Sequence, residues 1–409
     1  MRALLEESFR AAVAAADPRQ ILGAHLPPPP RGRTFVAAAG KAAAAMAAAV
    51  EQHWQGALSG IAITRYGHGA PTSRITVVEA GHPVPDEAGE RAARQILAAV
   101  RALGEDDLLL ALLSGGGSSL LSLPADEVPM GELKQVTSQL LKSGAPIQEM
   151  NTVRKHLSAI QGGRLAAASR APVVALIISD VTGDDPTHIA SGPCAPDPTT
   201  YADARAILAR YRVAPPATVK ARLERAADET PKPGDPVFAK VTNKVIATAH
   251  RSLEAAAELF SRAGVQPVIL GDTVTGEAAE VAKVMAALVH EIRTYRKPWA
   301  PPVALISGGE CTVTVTGEGG RGGRCAEFLL ALGIETGGVW AIAGDTDGID
   351  GTEDNAGAIL TPDSMQRGTD ARAMLAKHDS YGFFAALGDL VVTGPTRTNV
   401  NDYRAIVVL

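Results

Sequence analysis

One recurring unit constrains the fold more than anything else in this chain: a short, wholly apolar run, then a polar or glycine turn, then a helical stretch. Thr34–Ala39 leads into an alanine-rich helix from Lys41, and Leu108–Leu113 runs into a serine–glycine turn before Leu120. The rhythm returns at Pro172–Ser179, Lys244–Thr248, Val265–Leu270, Val303–Ser307 and Val339–Ala343. Runs with no wet face belong to strands covered on both sides. Their alternation with helices predicts an α/β fold with a mostly parallel sheet.

At 409 residues the chain is long for one core, so two domains are expected. Proline-rich stretches lie at Pro27–Pro30, Pro231–Pro236 and Pro298–Pro302. The middle one follows a charged helix and precedes a fresh strand–helix unit, as a linker does. It sets the expected domains at 1–234 and 235–409.

With 46% apolar and 20% charged residues, disorder, fibre and coiled-coil readings are set aside. A formal net charge of −5 with scattered basic residues argues against a nucleic-acid partner. Cys194, Cys311 and Cys325 show no Cys-x-x-Cys spacing and are odd in number, which fits a reducing cytoplasm. Met1–Ala16 is interrupted by Glu6, Glu7 and Arg10, so it reads as an amphipathic helix and not a secretory signal. Nor does any apolar run reach the ~18 residues of a membrane span. A cytoplasmic protein without a membrane partner is expected.

The strongest local signal is Ser114-Gly115-Gly116-Gly117-Ser118-Ser119, placed after a strand and expected to open a helix. Glycines let backbone N–H groups converge on an anion, and a helix N-terminus adds partial positive charge. A strand-to-helix turn alone needs fewer glycines, so the stretch is expected to cradle phosphate. No Lys-Ser or Lys-Thr follows the glycines, which excludes a Walker A loop. Gly40-Lys41 closes the first strand at the edge where open α/β folds bind ligands. Lys41 either neutralises a transferring phosphoryl group or stands solvated on a first helical turn, where lysine is unfavourable.

Further along, Asn151-Thr152-Val153-Arg154-Lys155-His156 carries cations ahead of a helical stretch with Gly162-Gly163-Arg164. A carboxylate or phosphate could dock there, or the charges could be solvated. Ser179-Asp180-Val181 puts a carboxylate at a strand end, as a magnesium ion would require, while Asp184 and Asp185 read equally as Asx turns. Gly317–Arg324 contains a formal Gly-x-Gly-x-x-Gly, weak evidence for a dinucleotide site. Its Arg321 and Arg324 either offer bidentate donors or sit solvated on a hairpin tip. In Ala343–Gly351 acids again follow an apolar strand; the last EF-hand glutamate is missing, so Asp347 suits magnesium or substrate hydroxyls. Thr393–Asp402 packs polar groups into one loop that either binds a ligand or caps several elements.

These segments resemble, in order, those of the class II glycerate kinases, whose second half is the MOFRL domain. The likeness covers almost the whole chain. It rests on Gly40-Lys41-Ala42-Ala43, Gly81-His82-Pro83-Val84-Pro85-Asp86, Leu113–Ser118, Asn151–His156, Ser179-Asp180-Val181, Ser191-Gly192-Pro193, Ser307-Gly308-Gly309-Glu310, Gly322-Gly323-Arg324, Asp347–Gly351 and Thr398–Asp402. Cys325-Ala326 stands where the family usually has Asn-Gln, and Arg397 where a small residue is common.

The resemblance implies a larger Rossmann-like N-terminal domain, a smaller α/β C-terminal domain and an active site in a cleft between them. It implies transfer of phosphate from ATP to D-glycerate with magnesium, giving 2-phosphoglycerate. Lys41 and Arg324 match the family's active-site lysine and arginine, and Asp180 joins them as a third catalytic candidate. Ser114, Gly115, Gly116, Gly117, Ser118 and Ser119 are expected on the nucleotide phosphates. Asn151, Arg154, Lys155 and Glu310 are expected on the substrate, and Asp180 and Asp347 on the metal. The partners are small molecules, with room for a homodimer. An NAD(P)H-dependent hydroxypyruvate reductase and a non-catalytic nucleotide- or sugar-acid-binding protein are the competing readings.

Overall fold

The apolar runs Thr34–Ala39 and Leu108–Leu113 are buried at every position and form the two central strands of a sheet, β1 and β4. In the computed structural model, which describes residues 1–315, 317 and 319–409, this sheet also holds β2 (Leu58–Arg65), β3 (Ile75–Ala80), β5 (Val173–Ile178) and β6 (Val241–Ala247). Its order is β3-β2-β1-β4-β5-β6, and each pairing among β1 to β5 is parallel. The chain runs outward from β1 to β3, then returns to β4 on the other side of β1. Right-handed crossovers therefore put the helices Ala43–His53 and Glu87–Arg101 on opposite faces. The reversal between β1 and β4 is where open α/β sheets hold ligands, beyond the carboxyl ends of the strands.

Helix Glu87–Arg101 shows how local sequence feeds this packing. Asp86 accepts the Gly89 N–H at 3.0 Å as its N-cap, with Glu87 and Glu90 in the first turn. Ala92, Ala93, Ile96, Leu97 and Val100 fall on one helical face and bury against Phe35, Ala37, Leu109 and Ala111. A separate helical layer, Met130–Lys142, Ile147–His156, Tyr201–Arg210 and Ala217–Arg225, closes around Val136, Leu140, Val153, Leu208 and Leu223.

The remaining strands are β7 (Gln266–Gly271), β8 (Gly276–Glu277), β9 (Val303–Gly309), β10 (Cys311–Thr312), β11 (Trp340–Asp345), β12 (Gly357–Leu360), β13 (Leu390–Val391) and β14 (Asp402–Val408). β8 and β10 form a small parallel ladder, and the others a second sheet of order β13-β12-β11-β14-β9-β7. Here the expectation of parallel strands is corrected. Only β7 and β9 are parallel among its pairings, because β14 inserts antiparallel between β9 and β11. The apolar signal misled for a physical reason. Val303 and Leu305 face the helices Ala278–Tyr295 and Arg324–Thr336, while Ala304 and Ile306 face Arg2–Ala14 and Ala249–Arg262. A strand covered on both faces is apolar throughout, whichever way its neighbours run.

The chain divides into two compact units, Ile21–Ile246 and Met1–Gln20 with Ala247–Leu409. Against the boundary expected at 234/235, the division falls after Ile246. Lys244–Thr248 was expected to begin a new unit, but β6 completes the first sheet as its edge. Nor is the Pro231–Pro236 stretch a linker. Asp197 donates its N–H to the Pro231 carbonyl at 2.9 Å, and Phe238 packs on the first core. Among the described residues, no helix is long and apolar enough to cross a membrane.

Candidate active site

The ends of β1 and β4 are locked together at the reversal point of the first sheet. Gly40 has φ +130°, and a Cβ there would stand 2.1 Å from Ser114 Oγ, so no side chain fits between the strands. The Lys41 N–H donates to the Gly115 carbonyl at 2.8 Å, and the Ala42 N–H to Ser114 Oγ at 3.0 Å. These bonds hold the half-buried Lys41 at the rim of the Ser114–Ser119 turn.

Within that turn, Gly116 adopts φ +79° and the His82 imidazole lies against it; a Cβ would meet His82 Nε2 at 2.8 Å. The N–H groups of Gly115, Gly116 and Ser118 take no hydrogen-bond partner among the described residues. Backbone donors around a left-handed residue form a concavity suited to an anion. One part of the expectation is corrected: the helix Gly117–Leu120 has four residues, so its dipole adds little to those N–H groups. Ser119 Oγ donates back to Gly116 O at 3.1 Å and stabilises the turn itself.

A second, strained loop supports the turn from behind. Ala190, Ser191 and Gly192 all have positive φ, at 51°, 58° and 57°. Left-handed geometry at the two non-glycines costs free energy and persists only where the surroundings enforce it. They do: Gly162 N–H bonds Ser191 O at 3.0 Å and Gly163 N–H bonds Gly192 O at 2.7 Å. In return, Ser191 Oγ donates to Ser118 Oγ at 2.8 Å, and Ala190 packs on Gly117.

Asn151–His156 does not precede a helix; it forms the last turns of Ile147–His156, where cations complement the dipole. Lys155 is 1% exposed and its ammonium pairs with Asp197 at 2.8 Å, so it is consumed inside the fold and is not left to meet substrate. Burial would raise the Asp197 carboxyl, but Lys155 and the hydrogen bonds of Lys155 and Thr199 together hold it below its ordinary value. His156 is likewise internal, with Nε2 2.9 Å from Glu229. Arg154 differs. It donates to Ser118 O at 3.0 Å and Asn151 Oδ1 at 3.3 Å, both neutral acceptors.

Asp180 stands just beyond β5, half-buried, at the same sheet edge as the turn. No group of three or more histidine, cysteine or acidic side chains could hold a metal ion among the described residues.

In the second unit, Arg324 opens the helix Arg324–Thr336. Its Nε–H donates to both Asp402 oxygens at 2.8 and 3.0 Å, and NH2 donates to Asp345 Oδ2 at 2.6 Å. Glu310 lies 3.5 Å from the same nitrogen. Although burial alone would lower it, these carboxylates raise the guanidinium's pKa further. The Arg324 guanidinium is thus oriented by carboxylates and is not an unopposed charge. It lines a cavity of about 240 Å³ with Cys311, Gly322, Gly323 and Glu327. Arg321, expected beside it, instead stacks on Tyr381 at 4.9 Å. Glu318, within the same glycine stretch, lies outside the described residues.

Asp347 is 2% exposed and its Oδ1 accepts the Ile349 N–H at 2.9 Å. Asp350 caps Arg324–Thr336 through the N–H groups of Cys325 and Ala326 at 3.0 and 2.8 Å, and burial pushes its carboxyl up to about 7. Burial raises the Cys325 thiol well above its usual range, so this cysteine is inert. The Thr393–Asp402 loop caps: Thr396 Oγ1 bonds Thr346 O, and Thr398 Oγ1 bonds Ala16 O.

The sequence marks Ser191 and Asp345 only as members of motifs, without a role of their own, and Arg404 escapes it altogether. Arg404 is 1% exposed in β14, bonding Asp402 and the carbonyls of Gly308 and Gly309. One signal was available. An arginine inside an otherwise apolar terminal strand demands a buried acidic partner.

The profile of a domain of unknown function, DUF4147, matches residues 4–224, and that of the MOFRL family matches 303–402. A relative from Agrobacterium vitis named "Putative hydroxypyruvate reductase" is 54% identical across 100% of this chain and 94% of its own. Glycerate 2-kinase from Pyrococcus horikoshii is 40% identical across 92% of this chain and 88% of its own. The solved glycerate kinase of Thermotoga maritima matches with a TM-score of 0.89 at 37% identity, covering 100% of this chain and 99% of that one.

Proposed function

This chain belongs to the glycerate kinase family that joins a DUF4147 domain to a MOFRL domain, and we propose that it transfers the γ-phosphoryl group of ATP to D-glycerate. The acceptor is the 2-hydroxyl: its oxygen–phosphorus bond forms as the bond to ADP breaks, and the hydroxyl proton passes to water. Phosphoryl transfer needs alignment and neutralisation of charge on the phosphoryl oxygens more than covalent help.

The observation that carries this reading is the clamp of Lys41 N–H on Gly115 O at 2.8 Å. It ties a lysine to a turn whose open N–H groups suit phosphate. Lys41 then serves the transferring group, and the Ser114–Ser119 turn the phosphates behind it. Arg324 has donors left after Asp402 and Asp345, and it orients the glycerate carboxylate in its 240 Å³ cavity, which is sized for a three-carbon acid. Magnesium, when bound, adds charge neutralisation across the phosphates. Asp180 or Asp347 would supply a hard oxygen ligand of the kind it takes.

A reductase is the reading suggested by the Agrobacterium relative's name. Against it, β1 runs into Gly40-Lys41-Ala42-Ala43, without the glycine fingerprint of a dinucleotide site. Incubation with ATP, magnesium and D-glycerate, followed by phosphorus NMR, should yield 2-phosphoglycerate. Consumption of NADH with hydroxypyruvate and no phosphorylated product would overturn the assignment.

A further inference from the structure

A cavity of about 450 Å³ opens in the first unit between the Pro83–Pro85 segment, the helix Met130–Lys142 and the helix Ile147–His156. Its walls are chiefly apolar, from Val84, Leu133, Leu141, Ile147 and Met150. Size and lining are those of a small-molecule site, with few polar groups to fix orientation. Thr137 is one of them. Its hydroxyl proton is given to Leu133 O at 2.8 Å, so toward the cavity this oxygen can only accept, as an exocyclic amino group would require.

Arg154 lines the same cavity and links it to the phosphate turn, because one guanidinium both faces the space and bonds Ser118 O. It is 9% exposed, and no carboxylate lies within ion-pair reach of it among the described residues. Burial pushes its pKa down to about 10, so it stays cationic near neutral pH. A buried cation without a counter-charge is costly and calls for an anion. Glycerate would leave the apolar walls uncovered, whereas a purine nucleotide covers them with its base and supplies the missing charge through its phosphates.

We propose that this cavity takes the nucleoside of the ATP co-substrate, with Arg154 at its inner wall holding phosphate charge. The proposal rests on the phosphotransfer reading above and moves Arg154 from the acceptor to the nucleotide. The test combines steady-state kinetics with calorimetric titration of ADP and inorganic tripolyphosphate into wild type, Thr137→Trp, Ser138→Trp and Arg154→Met. Thr137→Trp fills the cavity, and Ser138→Trp repeats the test from its exposed rim should the first variant fold poorly. Each tryptophan should raise the KM for ATP about tenfold or more, with the KM for glycerate within about twofold. Tripolyphosphate binding should survive both tryptophans and fall about tenfold or more in Arg154→Met, with partial recovery in Arg154→Lys.

A rise in the glycerate KM with ATP unaffected would overturn the proposal, as would ADP binding indifferent to both tryptophans. The two readings fail separately. A wild type that binds ADP through these residues but never phosphorylates glycerate keeps the cavity and loses the kinase. A glycerate kinase whose ADP binding ignores the tryptophans does the reverse.

Discussion

Arg324 donates to Asp402 and Asp345, so deleting its side chain takes a cationic partner from two buried carboxylates, although Arg404 still bonds Asp402. Breaking such a pair costs about 3–5 kcal/mol, which would confuse lost folding with lost chemistry. Arg324→Lys keeps the charge and loses the planar fork. It is expected to stay folded while turnover drops about 10²–10³-fold, as for a removed preorganised donor, and Lys41→Ala should match it. Thermal melts beside turnover numbers check this; near wild-type turnover in both would remove the pair from the reaction. Lys155 and Asp197 make a purely structural counterpart. Either single alanine variant should cost about 3–5 kcal/mol in denaturant unfolding, whereas a paired apolar replacement such as Lys155→Met with Asp197→Leu should recover much of it. The sign with pH follows from the lowered Asp197 carboxyl. Its contribution is complete above the ordinary value of 3.8 and is lost as pH falls through the lower folded value. Stability measured from pH 6 to 2 should therefore decline less steeply in Asp197→Asn than in wild type.

Among the elements, the glycine turn and the left-handed segment behind it act as one part. A Cβ on Gly117 would meet the Ala190 Cβ at 2.5 Å. Gly117→Ala is therefore expected to cost about 1–3 kcal/mol by overpacking and to raise the KM for ATP, since the displaced Ala190–Gly192 loop also carries Ser191 against Ser118. Gly144→Ala, at a positive-φ turn with open space around it, is the control: strain without a displaced turn. The place of the glycine turn was legible, because an apolar run ending in serine and three glycines can only turn. Its backing was not legible, because nothing in Ile189-Ala190-Ser191 advertises left-handed geometry. The serine–glycine stretch that closes β9 shows the limit of such likeness. Ser307-Gly308-Gly309-Glu310 also ends a buried strand, yet it leads into β10 and opens no helix.

For the whole molecule, the first residues belong with the last. Leu5, Phe9 and Ala12 share a core with Phe260, Ile342, Tyr403 and Ala405. Removing residues 1–20 should therefore destabilise the Ala247–Leu409 unit, at about 1.5–3 kcal/mol for each large side chain lost, and lower its melting temperature in calorimetry. An unchanged melt would contradict this packing. From the sequence came the α/β class, the strand positions and the turns at their ends, because complete burial and sharp reversal each demand particular residue types locally. The direction of the second sheet, the sheet that claims β6, and the cations consumed in internal pairs came only from the tertiary structure. An apolar run records that both faces are covered without recording by what. A charge likewise does not record whether a partner 42 residues away, as for Lys155, or 78 away, as for Arg324, will reach it first.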